Sequence, residues 1–410
     1  MTSLTGAAAP PADGRDPGRA PWLVLAAAAA YVVVAPNVGI HYSEQASYDL
    51  WRVLQIALLV AVAGAFLVPA IGGPVRECFQ ELPGRARLAL GAVAALGLAS
   101  SLLSVRPLYA LRQYALIALL FLTTLAVAAA TRALGERAHR TVAQAVSLSA
   151  LFYLTLFLAV IVVDPWNMRG WARSPFVGYA NPRFFGQLQS WTIPLIVLPA
   201  LDRRGTPPLA RAAFWAAAAG WWMLFFVSGS RAPALSLAIA LAAALACFGR
   251  RALPWLAAQG AALAAGVVAY NFVPAFGPSL QTGVASAVSR GATDTGRSWL
   301  WGRAIDLIES SPLLGVGPGN YSYFRAPPGV AGRAGVSAHP HNAVLQWAAE
   351  WGVPAALLLL GVLLWGLWSW VRARRREAGA DGVAIALTTA MLAAVVHSML
   401  DGMIVMPLPQ

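Results

Sequence analysis

Two histidines stand two residues apart in His339-Pro340-His341-Asn342, ahead of the short apolar run that begins at Ala343. An imidazole kept neutral at physiological pH is free to take a proton from an attacking hydroxyl. Arginines occur at positions suited to hold a phosphate: Arg231 in Ser228-Gly229-Ser230-Arg231, Arg297 in Gly296-Arg297-Ser298-Trp299, Arg183 in Asn181-Pro182-Arg183, and Arg303 six residues after Arg297. A guanidinium fork meets phosphate oxygens in pairs, and a helix start such as that predicted at Arg297 adds free N–H groups that also favour an anion. Each has a plainer reading. Arg231 can snorkel at the headgroup level, Arg303 can sit ion-paired on a solvated face, and a histidine can merely cap a helix. His341, with His339 as substitute or orienter, and Arg231, Arg297, Arg183 and Arg303 are therefore candidates for one reaction: proton abstraction beside a departing phosphate.

No metal is expected at that reaction. The two cysteines, Cys78 and Cys247, are too few and too scattered for a zinc site. No Asp-x-Asp pair is present to hold a divalent cation on a diphosphate. Leu314-Gly315-Val316-Gly317-Pro318-Gly319-Asn320 has glycines like a phosphate loop, but no strand precedes it and no Lys-Ser/Thr follows. It reads as a tight turn, and no cofactor is expected.

The elements that must position these residues are membrane helices. Of 410 residues 59% are hydrophobic and 11% charged, against about 25% charged in an ordinary soluble domain. Apolar runs occupy 22–35, 49–70, 88–104, 108–130, 141–163, 186–201, 212–227, 232–248, 252–274, 353–371 and 382–400. These eleven, or twelve if Met406–Gln410 opens another, predict an all-α polytopic membrane protein. Residues 1–20 read as a disordered cytoplasmic tail, 21–272 as an N-terminal transmembrane bundle, 273–352 as a long periplasmic catalytic loop, and 353–410 as C-terminal transmembrane helices.

The net charge of +13 comes from 29 arginines and no lysine. Their placement argues for orientation rather than nucleic-acid binding. Arg76, Arg85 and Arg87, then Arg132, Arg137 and Arg140, then Arg203, Arg204 and Arg211, then Arg250 and Arg251, then Arg372, Arg374, Arg375 and Arg376 fall in every second connection, which marks those connections as cytoplasmic. The opposite connections, 164–185 and the loop near 273–352, nonetheless carry eight arginines against five acids. Positive charge on the disfavoured side calls for an anionic ligand. Within the loop Leu300, Ala304, Leu307 and Ile308 recur at the helical period, predicting a short amphipathic helix on the bilayer.

Taken in order, these motifs resemble the bacterial O-antigen ligase and O-antigen polymerase superfamily. Its Arg-x-x-x-Leu motif is matched by Arg231 to Leu235, its Arg-x-x-x-Trp stretch and following Pro-Leu-Leu-Gly-Val-Gly turn by Arg297, Trp301 and residues 312–317, and its His-Asn-(nine residues)-Gly motif by His341, Asn342 and Gly352. The resemblance covers mainly residues 225–370. It implies a GT-C-like membrane glycosyltransferase that moves O-antigen from undecaprenyl diphosphate to lipid A-core in the periplasmic leaflet, by metal-independent inverting transfer. With no stretch after Arg376 suited to the soluble domain of the protein-glycosylating relatives, ligase is expected ahead of polymerase or protein O-oligosaccharyltransferase.

A reading of another class is a flippase or transporter for a lipid-linked anion. It requires ionisable groups at mid-membrane, for which Arg52, Arg112, His397 and Asp401 are the candidates. A non-catalytic scaffold gives no reason for paired histidines among external arginines.

Overall fold

A computed structural model describes residues 18–37, 44–163, 176–177, 179, 182–203, 205–272, 297–324, 339–376 and 382–401, with the side chains of 44–52, 182 and 183 left out. The expected tail lies outside these residues except for 18–20, and Arg19 and Ala20 already belong to the first helix. Residues 273–296 and 325–338 of the long loop, and 402–410, also lie outside.

Among the described residues all regular structure is helical. The first group comprises α1 (Arg19–Val34), α2 (Glu44–Ala65), α3 (Pro69–Glu81), α4 (Gly84–Leu102), α5 (Pro107–Leu134) and α6 (Glu136–Val163). The second comprises α7 (Pro182–Ile196), α8 (Pro208–Ser228), α9 (Arg231–Phe248) and α10 (Leu253–Phe272). Two short helices follow, α11 (Arg297–Ser310) and α12 (Ala343–Trp351), and then α13 (Val353–Arg376) and α14 (Gly382–Ser398). Proline marks several starts, at Pro69, Pro107, Pro182 and Pro208, where its missing N–H costs no hydrogen bond.

Among the described residues eight helical stretches are long and apolar enough to cross a membrane, or nine if the pair Val53–Ala65 and Pro69–Glu81, bent by 95°, forms one span. One of the eight, Arg231–Phe272, is a hairpin. Its chain reverses at Gly249, whose φ of +56° suits glycine. At the start of α9, Pro233 packs against Gly186 in the first turns of α7. At the start of α10, Trp255 donates to the carbonyl of Pro194 near the other end of α7. By Tyr270, α10 has returned to Phe226 at the end of α8. With the hairpin counted as two, the bent pair as one and the 17-residue α14 included, every apolar run seen in the sequence corresponds to a helix. The connection after residue 65 differs from expectation: α3 turns aside, burying Ile71 and Val75 against Ala126, Ala129 and Ala130 of α5.

The arginine-rich connections gather at one end. Arg132 pairs with Glu81, Arg140 lies 2.8 Å from Asp202, and Arg251 reaches the carbonyl of Arg375 at 3.4 Å. The three contacts join connections far apart in sequence, so the alternation read from the arginines is a spatial fact.

The main core lies among α6, α7, α8, α9, α10 and α14, around Tyr153, Phe185, Trp221 and Trp255. Polar groups inside it are used to tie helix to helix. Gln189 donates to the Trp221 carbonyl at 2.9 Å, Trp221 donates to Thr192 at 3.0 Å, and Gln259 donates to the Ile193 carbonyl at 2.9 Å. The end of α7 at Ile196 leaves its last carbonyls, that of Ile193 among them, without helical partners, and a buried carbonyl left unpaired is costly.

Candidate active site

At the end opposite the arginine-rich connections, several helix termini meet. Ser228 and Gly229 close α8 in a left-handed turn, φ +54° and ψ +25° at Gly229, and Arg231 opens α9 directly afterwards. The turn packs closely on α7: a Cβ on Gly186 would stand 2.9 Å from Pro233 Cγ and 3.2 Å from Ser230 Cβ. Arg183 belongs to the first turn of α7, at the same end, while its side chain is outside the described residues. Helix α14 runs beside both α7 and α9, with Gly382 against Leu198 at the far end. Its C-terminus, His397 to Asp401, therefore arrives beside the first turns of α7 and α9.

His341 completes this assembly from the loop. Its Nδ1 lies 2.6 Å from Asp401 Oδ1, with the His341 and Asp401 side chains 16% and 3% exposed. Burial alone would raise the Asp401 carboxyl, but hydrogen bonding and charge from His341 and His397 hold it well below the ordinary carboxylate range. An ionised carboxylate only accepts, so Nδ1–H of His341 is the donor and Nε2 is the atom left to accept a proton. His397 Nε2 stands 3.9 Å from the second oxygen of Asp401. The group that orients His341 is thus Asp401. The sequence alone offers Asp401 as one of four ionisable groups in or beside the apolar runs, most of them close to span ends. The available signal was His397-x-x-x-Asp401 at the end of an apolar run, which puts an imidazole and a carboxylate one turn apart.

The backbone at His341 is unusual. Its φ of +56° makes it the one positive-φ residue other than glycine among those described, a conformation that costs on the order of 1–3 kcal/mol and persists only where the surroundings impose it. Those surroundings are identifiable. Trp301 Nε1 donates to the Pro340 carbonyl at 3.1 Å, and Asn342 caps α12 by accepting from Leu345 N–H at 3.0 Å. His339, buried, packs edge-on to His341 with ring centroids 4.3 Å apart. Burial first, and His341 second, push His339 down to about 3, with Asp401 opposing. His339 therefore stays neutral and is a poor proton acceptor.

Arg297 is the first residue of α11, one turn before Trp301 and on the same helix face. That turn is tied to the backbone between the two histidines. Arg303 is placed differently: its guanidinium lies 3.7 Å from Asp306 and 5.8 Å from the Phe324 ring centroid. The apolar stripe Leu300, Ala304 and Leu307 forms as expected, but it is buried by protein rather than bilayer. Ala304 and Leu307 pack with Val316, Tyr321 and Ala349, and the Tyr321 hydroxyl donates to the Leu300 carbonyl.

The glycine-rich turn is the clasp that holds α12. Val316 N–H donates to Ala349 O at 2.8 Å, Gly317 N–H to Glu350 O at 2.9 Å, and Val353 N–H to Pro312 O at 2.8 Å. Such close backbone approach excludes side chains: a Cβ on Gly315 would meet the Glu350 carbonyl carbon at 2.5 Å. Glu350, buried, accepts from Gly319 N–H at 2.9 Å and Tyr321 N–H at 3.3 Å. Burial pushes its carboxyl up to about 7 against the effect of those donors. Trp351 then lies on Gly97 of α4, anchoring the clasp to the bundle. Among the described residues no group of three or more His, Cys, Asp or Glu is arranged to hold a metal ion.

Comparison with known proteins bears on this geometry. The whole chain has no significant match among curated proteins. Residues 212–360 match the O-antigen ligase family profile; the matched segment contains Arg231, Arg297, the glycine-rich clasp and His341, and stops before Asp401. The chain thus carries a segment that matches the O-antigen ligase family, residues 212–360, on a multi-pass helical membrane scaffold.

Proposed function

We propose that this protein is an O-antigen ligase, which transfers O-antigen from undecaprenyl diphosphate to a sugar hydroxyl of the lipid A-core. The observation that carries this reading is the His341–Asp401 pair, set at the same end of the molecule as the first turns bearing Arg231 and Arg183. The acceptor hydroxyl attacks the anomeric carbon and loses its proton to His341 Nε2, while the bond to the diphosphate oxygen breaks. The departing diphosphate gathers negative charge, which Arg231 and Arg297, with Arg183, are suited to meet by paired hydrogen bonds. Asp401 stabilises the imidazolium so formed. One displacement inverts the anomeric centre and asks for no protein nucleophile.

Sidedness follows from charge. The orientation bias of arginine favours the cytoplasm for the arginine-rich end, which supports a periplasmic His341 end and an inner-membrane protein. The transporter reading loses support from the placement of its candidates. Asp401 and His397 belong to the His341 cluster, and Arg112 lies in the first two turns of α5 with its guanidinium on Tyr109.

Lipopolysaccharide from a deletion strain tests the reading. Loss of attached polysaccharide with long chains accumulating on the lipid carrier is the expected result. Attached chains reduced to a single repeat unit would make the protein a polymerase instead. Complementation by His341→Ala should fail while the protein remains in the membrane at normal abundance.

A further inference from the structure

A second cluster of arginines lies outside the His341 assembly. At the start of α5, the guanidinium carbons of Arg106 and Arg112 both stand 5.0 Å from the centroid of the Tyr109 ring, and Arg106 is also 5.4 Å from the ring of Tyr323. Both arginines are exposed, and neither has a carboxylate within ion-pair distance among the described residues. Two like charges on one ring repel each other, and they sit at the end of the molecule where positive charge is disfavoured. A dianionic group resolves both costs, and guanidinium forks select phosphate. The same hairpin tip exposes apolar side chains: Leu103 is 75% and Leu108 86% exposed. Apolar side chains beside paired arginines fit a lipid whose phosphate lies at the headgroup plane.

The cluster is joined to the catalytic loop. Gly319 approaches Tyr109 and Gln113 so closely that a Cβ would stand 2.9 Å from the Tyr109 ring, and Gly319 N–H is held by Glu350 in the last turn of α12. His341 precedes the first turn of that helix. Nine residues of α12 span about 14 Å, which separates this cluster from the diphosphate beside His341. The phosphate bound here then belongs to a second lipid.

We infer that Arg106, Arg112, Tyr109 and Tyr323 bind a phosphate on the lipid anchor of the acceptor, so that its glycan extends along α12 to His341. The inference rests on the proposed function, since it presumes a membrane-anchored glycolipid acceptor. The site fixes where the acceptor stands, and selects phosphorylated over unphosphorylated anchors.

The whole protein in nanodiscs of zwitterionic phospholipid, assayed with a phosphorylated acceptor glycolipid and its phosphatase-treated counterpart, tests it. The double variant R106Q/R112Q should raise the KM for the phosphorylated acceptor about tenfold and leave the donor KM as it was. Phosphatase treatment should cost the natural enzyme a similar factor and cost the variant nothing further. An equal loss on both acceptors would overturn the inference. So would full occupation of the site by added anionic phospholipid, which would make it a general headgroup contact. If the natural enzyme transfers no glycan at all, the proposed function fails separately, and equilibrium binding decides. Tenfold weaker binding by the variant of the phosphorylated glycolipid alone sustains the site, and equal binding by both proteins refutes it.

Discussion

Replacing Asp401 by Asn keeps the size and the fold of the α14 terminus and removes one charge. The carboxylate is 3% exposed and 2.6 Å from His341 Nδ1, so its loss is felt when the imidazole takes up a proton. At an effective dielectric constant of about 20, unit charges at that separation attract by roughly 6 kcal/mol, which is a ceiling. Removing one member of a buried, hydrogen-bonded pair costs about 3–5 kcal/mol, or a hundredfold to several thousandfold in rate. The amide has a second effect: it offers either an oxygen or an NH2 to Nδ1, and the latter forces the proton onto Nε2, where it blocks the reaction. The assay is transfer by purified enzyme with donor and acceptor lipids, together with donor binding. We expect kcat to fall by two to four orders of magnitude with donor affinity retained.

A double variant sharpens the result. If Asp401 acts through His341, then adding Asp401→Asn to His341→Ala should cost little beyond His341→Ala alone. Losses that multiply, or an Asp401→Asn enzyme with near-normal kcat, would refute the pair as a working unit. In the second case the 2.6 Å contact would be a structural tie only.

Arg231→Gln should lower transfer by about 2–4 kcal/mol of transition-state stabilisation with protein abundance unchanged, because Arg231 is exposed; normal ligated polysaccharide in complemented cells would exclude it from the diphosphate site. Gly352→Ala should destabilise the loop by more than about 1 kcal/mol, since φ is +82° and a Cβ would collide with the Leu313 carbonyl; thermal unfolding in detergent measures it, and an unchanged melting temperature would contradict the clasp. His339 ties stability to pH. Its folded value is pushed down to about 3 from 6.5, so below pH 6.5 the unfolded chain takes a proton that the native state refuses, and stability falls by ~1.4 kcal/mol per pH unit. Glu350, pushed up to about 7 from 4.5, works the other way: the native state keeps a proton there, and stability falls as pH rises through that window. In the natural protein the two slopes oppose each other between about 4.5 and 6.5. His339→Asn should leave the Glu350 slope exposed, so that stability decreases with pH over that range; a profile parallel to that of the natural protein would show that burial of His339 has no such cost.

The membrane helices were legible because their signal is local. Each span is a run of apolar residues, and the arginines that punctuate every second connection report which ends lie together. The structure bears this out through Arg132 with Glu81, Arg140 with Asp202 and Arg251 with Arg375. The helix at Arg297 was legible for the same reason, by its 3.6-residue period, but the period does not say what covers the apolar face. Bilayer and protein are alike to such a stripe, and here Val316, Tyr321 and Ala349 provide the cover. The bend after residue 65 was not legible, since apolar residues continue through it.

Asp401 shows where local reading ends. It lies 60 residues from His341, beyond a basic connection and a full span, and no periodicity links the two positions. What links them is that α14 runs outward beside α9 and α7, so its last turn can only arrive where Arg231 and the first turn of α7 already are. The residues proposed to act in transfer sit at helix ends: Arg183 and Arg231 in first turns, Arg297 at the start of α11, His341 just before α12, Asp401 just after α14. A helix end in a membrane protein is where a polar side chain can find partners on other chain termini near the headgroup level, as Asp401 finds His341, and where the chain can turn. Placing each group at a different terminus lets the bundle fix their relative positions by packing apolar faces alone. It follows that substitutions at helix interfaces remote from His341, such as a bulky residue at Gly186 where α7 meets Ser230 and Pro233, should impair transfer through geometry. Gly186→Leu should lower kcat while leaving every charged group in the chain in place.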